Sequence, residues 1–426
     1  MTSKVTILVF VLLGLLLGAL FTQNQDLVLM MLPFLAYLGI GILQSPSAGK
    51  TRLQATRSLA KNSLAGITSI QVTVTVSNQG AAIDRLTLID PHQPGMLLTL
   101  GQIQQPAALR TGEKALLKYT FRSERGFFSW KTARVIVSDS FDLIESEIEL
   151  TAAAEVQVLP ELKKFRPFPL RPQRTLHSAG SIPARLGGRG TDFWGVREYH
   201  PGDPLRHLDW RLTARHPNKF FTKEFEQEEI ADIGLFLDAR KKVDLQVDGD
   251  SLFEHSVRAA ASLAEVFLRQ GNRISMLIFG EPEVNLYPGY GKVQLNRILS
   301  ALTRTTPKLD GSLGGLHFSN VHMFSNRSLI FVISPLAPND WQLFPRLRAY
   351  GYQVLLISPD PFDFARGGLS SDRTTGLATR IARVERQLEI NKISQLWIPV
   401  IDWQVSQPLS PLVRNALRHA HIQRGK

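Results

Sequence analysis

No cysteine occurs anywhere in this chain of 426 residues. Its absence excludes disulfides, thiolate metal sites and a cysteine nucleophile, and says little about compartment. Other signatures of catalysis are missing too. There is no nucleophile elbow. The glycine-rich run Gly187-Gly188-Arg189-Gly190 reads as following no strand, and it lacks the Lys-Ser/Thr of a phosphate-binding loop. Wholesale disorder is excluded by what remains, since 44% of residues are hydrophobic and 20% charged. Such a chain is long enough for two or three domains, each with its own core.

Long apolar runs are confined to the N-terminus. Val5 to Phe21 carries no charge, and at ~1.5 Å per residue it makes a helix of roughly 26 Å, the short end of a bilayer span. Leu27 to Leu43 is a second run, interrupted by Pro33. No small-x-small cleavage site follows the first run, so residues 1–45 are read as a transmembrane helical hairpin rather than a cleaved signal. Lys4 precedes the pair and Lys50, Arg52, Arg57 and Lys61 follow it, while Thr22 to Asp26 holds no base. The positive-inside rule then places the N-terminus and the large C-terminal part on the cytoplasmic face of the inner (plasma) membrane.

Two folded regions follow. Within 60–160, Ile67 to Val76 alternates apolar and polar positions with many β-branched residues, and Ser77-Asn78-Gln79-Gly80 is its turn. Further strands are read at Arg85 to Ile89, Ala115 to Arg122, Lys131 to Val137 and Glu145 to Pro160, with Arg125-Gly126-Phe127-Phe128 as a turn entering the next strand. Short strands with no helix between them predict an all-β sandwich domain. From 230 to 426 strands and helices alternate, beginning with the continuous apolar run Ile230 to Ala239 and a helix that stops at Gly271. This pattern predicts an α/β doubly wound sheet with ligands at the carboxyl ends of the strands. Those ends carry Asp238-Ala239-Arg240, Gly280, Ser334-Pro335 and Ser358-Pro359-Asp360.

Between the two lies a basic connecting segment, 161–229. Glu161 to Lys223 holds thirteen Lys and Arg against five acids. Anionic lipid or an acidic protein fits that charge; nucleic acid is not expected, since no binding motif accompanies it. At the centre of the segment, Gly187 to Arg215 mixes charges of both signs with Phe193, Trp194, Tyr199 and Trp210 in neither a helical nor a strand period. An ordered loop is predicted, turning at Pro201-Gly202-Asp203-Pro204.

This stretch resembles the signature of the bacterial domain of unknown function 58 (DUF58) family. The shared positions are Gly188, Gly190, Phe193, Gly195, Arg197, Tyr199, Gly202, Asp203, Arg206, Asp209, Trp210, Ala214 and Arg215, with Leu208 in place of Ile. Weaker echoes are Arg125-Gly126 with Asp139-Ser140-Phe141-Asp142-Leu143, and the Leu286-Tyr287-Pro288-Gly289 run. The resemblance implies a C-terminal domain similar to a von Willebrand factor A domain. Such domains often bind a divalent metal through Asp-x-Ser-x-Ser and a later Asp. Here Asp238 keeps the first place, Arg240 and Lys242 take the serine places, and Pro335 stands where the later Asp would be. That is a degenerate site, and no metal or other cofactor is expected.

The resemblance also implies a partner, a MoxR-type AAA+ ATPase, and a non-enzymatic scaffold role in complex assembly or envelope processes. Arg197, Tyr199, Gly202, Asp203, Arg206, Asp209, Trp210 and Arg215 are then the binding residues of the signature loop. The same charges also suit internal pairs, Arg197 with Asp209 and Arg206 with Asp203. Tyr199 and Trp210 then become packing residues, and Gly188, Gly190, Gly195 and Gly202 backbone requirements. A hydrolytic or metal-dependent enzyme is the alternative, using His200, Asp203, His207 and Asp209.

Overall fold

The computed structural model describes residues 3–43, 51–64, 67–138, 143, 145–168, 176–216, 218–308, 311–313, 322–325, 328–365 and 373–422. The chain divides into two compact units, Met1–Leu159 and Pro160–Lys426.

The first unit opens with helices α1 (Ser3–Thr22) and α2 (Gln25–Leu43). Lys4–Thr22 is long and apolar enough to cross a membrane, and the apolar part of α2, Gln25–Gly41, is shorter. Eight strands follow: β1 (Leu53–Leu64), β2 (Ile67–Asn78), β3 (Ile83–Ile89), β4 (Leu97–Gly101), β5 (Gln104–Leu109), β6 (Lys114–Ser123), β7 (Gly126–Ser138) and β8 (Glu145–Val158). They form two antiparallel four-stranded sheets, ordered β1-β2-β6-β4 and β5-β3-β7-β8. Alternation decides the inner faces: Val72, Val74 and Val76 on β2 and Leu117, Tyr119 and Phe121 on β6 share one core with Phe128, Trp130 and Val135 of β7. Three of these strands, β1, β4 and β5, lie outside the runs read from the sequence.

Among the described residues, one ion pair is sealed inside this unit. Arg57 on β1 bonds Asp90, whose other oxygen accepts from the Tyr119 hydroxyl at 2.8 Å. Arg57 also donates to the Ala152 and Thr132 carbonyls and lies over the Trp130 ring. Burial pushes the Asp90 carboxyl up, against the downward pull of Arg57 and Tyr119.

In the second unit a long ribbon comes first. Strands β9 (Leu176–Glu198) and β10 (Phe221–Ile230) pair antiparallel, with register shifts between Glu224 and Phe225, Glu226 and Glu228, and Glu228 and Glu229. The signature stretch up to Glu198 is therefore strand, not loop. At the shifts the partner of β10 jumps along β9, from Gly195 to Gly188, from Gly187 to Pro183 and from Pro183 to His177, so several β9 residues go unpaired and no single alternation marks the strand in the sequence.

The α/β sheet contains β11 (Asp232–Asp238), β14 (Arg273–Phe279), β15 (Val284–Gly289), β16 (Leu329–Ile333), β17 (Gln353–Pro359) and β18 (Val400–Trp403). A two-stranded ribbon, β12 (Gln246–Val247) with β13 (Asp250–Ser251), sits between the first two. The order is β15-β14-β11-β16-β17-β18, parallel except for the edge strand β15. Alternate residues of β11 feed opposite cores. Leu235 and Leu237 join Val257, Leu263 and Phe267 of helix α4 (Leu252–Arg269), while Phe236 joins Phe344 and Leu347. Burial on both faces is why this strand reads as an unbroken apolar run. Truncating a buried anchor such as Phe331 to Ala is expected to cost about 3–5 kcal/mol. From β11 the chain moves to one side for β14 and returns to the other for β16, so the carboxyl ends of β11 and β16 flank a topological switch.

Candidate functional site

The signature residues are assembled where the ribbon ends. Arg197, near the end of β9, places both terminal nitrogens on the two Asp203 oxygens at 2.8 Å each, and its Nε donates to Glu224 on β10 at 2.7 Å. A further N–H reaches the Glu198 carbonyl. Asp203 also accepts from the His200 backbone at 3.0 Å, closing the turn in which Gly202 adopts φ +110°, a conformation that favours glycine. The Arg197 guanidinium, then the His200 N–H, hold the Asp203 carboxyl down at about 2.

Beyond the turn the loop returns to the ribbon. Tyr199 N–H donates to the Phe220 carbonyl and Asp209 N–H to the Phe221 carbonyl, at 2.8 Å each. Asp209 then caps the short helix α3 (Trp210–Thr213), accepting from the Arg211 and Leu212 N–H groups. Leu208 and Thr222 are buried beneath, and the Thr213 hydroxyl accepts from Phe221 N–H. The loop is ordered, as its composition predicts. Its ion pairs are redistributed, however. Arg197 takes Asp203 and Glu224, Asp209 serves as a helix cap, and Arg206 lies against His207. A backbone cap claims Asp209 because α3 needs an acceptor for its first N–H groups, a need visible only once the helix is known.

What the loop does not use inwardly, it presents. Trp210 is 66% exposed and Leu205 67%, with Phe193 and Phe220 also exposed. Tyr199 is half-buried and meets Phe220 edge-on at 6.4 Å. The packing role expected of Trp210 is thus corrected: its ring points to solvent from the first position of a one-turn helix. Arg211, Arg215 and Lys223 are exposed, and among the described residues none of them forms an ion pair. A Cβ on Gly195 would meet nothing within 4 Å, so neither space nor φ demands glycine there. The side chains of Arg189, Asp192 and Trp194 and the Asp139–Asp142 echo lie outside the described residues.

The carboxyl ends of β11 and β16 hold a second polar cluster, and Arg240 is its centre. Its Nε and one terminal nitrogen hold Asp238 at 2.8 and 2.6 Å. Its terminal nitrogens hold Asp340 at 3.0 and 2.6 Å, and one also reaches the Gly311 carbonyl at 3.2 Å. All five guanidinium N–H groups are thereby used. Ser334 Oγ donates to Asp238 at 2.6 Å, and the Ala337 N–H to Asp340 at 2.7 Å. The turn that carries Asp340 includes Leu336 at φ 66° and Asn339 at φ 69°. The side chains of Asp238, Arg240 and Asp340 are fully buried. Burial alone would pull the Arg240 pKa down; the hydrogen bonds and charges of both carboxylates outweigh it and raise it.

The sequence places Asp238, Arg240 and Ser334 at these strand ends but does not reveal Asp340. The acid expected directly after β16 is Pro335; five residues later the chain folds back and supplies Asp340. Oxygens suited to a hard cation therefore do converge here, and Arg240 takes all four carboxylate oxygens. Lys242, read as a second cation of this place, is exposed instead. His200, Asp203, His207 and Asp209 do not converge: Asp203 faces Arg197, His207 lies by Arg206 and Asp209 caps α3. Among the described residues no group of three or more His, Asp or Glu is arranged to hold a metal ion.

Comparison with known proteins gives the loop a context. The chain is 27% identical over 167 residues to the "Uncharacterized protein YeaD" of Bacillus subtilis (strain 168), a stretch covering 39% of each chain. The match thus spans about two fifths of that relative's length. Among solved structures, proximal thread matrix protein 1 from the mussel byssus aligns with TM-score 0.29 and 14% identity, over 44% of this chain and 47% of that one. The putative ApaA protein from Bordetella pertussis aligns with TM-score 0.17 and 16% identity, over 25% of this chain and 93% of that one. Arg197, Asp203, Trp210, Arg240 and Asp340 all fall within residues 195–384, over which the chain matches the family described as "Protein of unknown function DUF58".

Proposed function

We propose that this chain is a membrane-anchored, non-enzymatic docking protein whose signature loop binds a protein partner, a MoxR-type AAA+ ATPase, in complex assembly or envelope processes. The observation that carries the reading is the outward Trp210, next in sequence to Arg211 and near Arg215, neither of which forms an ion pair among the described residues. An exposed indole contributes little to the stability of the chain that bears it. With guanidinium groups beside it, it has the composition of an interface anchor for an acidic, partly apolar surface. The inner half of the loop supplies rigidity: Arg197, Asp203, Glu224 and Asp209 hold the turn so that Trp210 is presented without an ordering cost at binding.

The anchor is the apolar N-terminal hairpin, and the basic flanks after it favour a cytoplasmic location for both units. The ATPase is identified from the resemblance, as is the likeness of the α/β unit to a von Willebrand factor A domain. In this chain the Arg240 cluster makes such a domain independent of a metal, so docking proceeds through charge and the indole.

The test is affinity purification of the full-length chain from mild detergent with ATP, followed by mass spectrometry. Wild-type chain is expected to recover an AAA+ ATPase. The combined Trp210→Ala, Arg211→Ala and Arg215→Ala variant is expected to lose it while melting like wild type. Recovery of no ATPase by the wild-type chain sinks the reading, and undiminished recovery by the variant removes the loop from the interface.

A further inference from the structure

Helix α8 (Arg373–Gln395; the short helices α5, Gly291–Arg304, α6, Leu343–Ala349, and α7, Pro361–Phe364, precede it) has two apolar faces. One is buried: Glu389, Ile390 and Ile393 pack into the unit, and Arg386 bonds Asp402 at 2.6 Å and Ser358 Oγ at 3.0 Å. The opposite face carries Leu377, Ile381, Val384 and Leu388, exposed by 56, 59, 60 and 54%. Their spacing is four, three and four residues. That is the alternating a/d spacing of a coiled-coil seam, with a β-branched Ile381 at a and Val384 at d. A single outward aliphatic needs no explanation; four in heptad register over three turns do.

We infer that this face is a self-association seam, which pairs with the same helix of a second copy of the chain as a parallel two-stranded coiled coil. Charge selects the occupant. In this register Arg380 is a g position and Glu385 the e position of the next heptad. In a parallel pair, g of one helix meets e of the following heptad on its partner, so Arg380 faces Glu385 twice across the two-fold axis. In an antiparallel pair g meets g and e meets e, which sets Arg380 against Gln387 and Glu385 against Ala378, with no ion pair. An anionic lipid surface fits poorly, because Arg380, Arg383 and Arg386 are each already engaged. Arg383 lies over the Phe362 ring, Arg386 is held by Asp402, and Arg380 and Glu385 offset each other.

Two heptads make a short seam. An isolated peptide of that length would not pair, since it must first nucleate a helix. Here the inner face already holds the helix, so that cost is absent. The small contact area predicts a reversible dimer rather than an obligate one.

The cysteine-free sequence makes the test direct. Val384→Cys is introduced into the full-length chain in native membranes, which are then oxidised, and the product is read on a non-reducing gel. Because d faces d in a parallel pair, a covalent species of twice the chain mass is expected. Asn296→Cys, on the exposed side of α5, is expected to give none. Adding Glu385→Arg to Val384→Cys is expected to lower the yield about fivefold, and adding Arg380→Glu as well to restore it. No dimer from Val384→Cys, or a yield equal to that of Asn296→Cys, overturns the seam. A cross-linked product of any other mass shows a different occupant and overturns it equally. Faster cross-linking between Ile381→Cys and Val384→Cys chains than between two Val384→Cys chains overturns the parallel register.

Discussion

Arg197 and Arg240 are each held between two carboxylates, Arg197 bidentate to one and Arg240 to both, and they differ in depth. The side chain of Arg197 is 38% exposed, that of Arg240 not at all. An exposed ion pair in water contributes little and fades with salt, because solvent competes for both charges. A buried one costs much to form, and once formed it costs more to break, because the orphaned charges cannot reach water. The two clusters thus do different work. Arg197 sets the shape of a loop at the surface, and Arg240 joins the carboxyl ends of β11 and β16 to the turn that carries Asp340.

The largest expected effect is therefore at the buried cluster. Arg240→Ala leaves two buried carboxylates facing each other, and a loss of about 3–5 kcal/mol in urea unfolding is expected. Adding Asp238→Asn and Asp340→Asn to it removes the orphaned charges and is expected to restore part of that loss. An Arg240→Ala chain as stable as wild type would erase the distinction between the buried and the exposed cluster.

Partner recovery comes next. Trp210→Ala alone is expected to cut recovery of the proposed partner at least about tenfold, as anchors at interface centres do, with the urea midpoint unchanged. A matching loss of stability would instead return Trp210 to a packing role.

A smaller effect is expected at Arg197. Arg197→Ala should lower stability far less than Arg240→Ala, and the difference from wild type should shrink in 1 M salt, whereas that of Arg240→Ala should persist.

The smallest effect is in titration. Asp203 has a folded pKa of about 2, below its ordinary 3.8, so its contribution is present above that ordinary value and is lost as the pH falls toward 2. In Arg197→Ala the midpoint followed by NMR should rise toward 3.8. An unmoved midpoint would assign the shift to the His200 N–H instead.

Much of this was legible along the chain because it depends on local pattern. The two-sided burial of Ile233 to Leu237 appears as an apolar run, the end of α4 is marked by Gly271 at φ +80°, and the turn before α3 is written in Pro201-Gly202-Asp203. The ribbon β9–β10 was not legible, since its register shifts break the period by which strands are recognised. Nor were the partners of the charges. Arg197 has three acids within twelve residues on its C-terminal side, and sequence spacing does not say that Glu224, from across the ribbon, will join Asp203 in preference to Asp209.

By itself, then, the sequence determined the apolar N-terminus, the change from two-residue to helical and strand-helix periods, and the absence of thiol chemistry, because each is a property of neighbours along the chain. Only tertiary structure decided that Asp340 meets Arg240 across 100 residues, that Trp210 faces outward, and that the apolar stripe of α8 is its solvent face. The physical reason is the same in each case. Whether a charge or an apolar side chain stabilises the fold or recognises a partner depends on how much water remains around it, and that is set by residues distant in sequence.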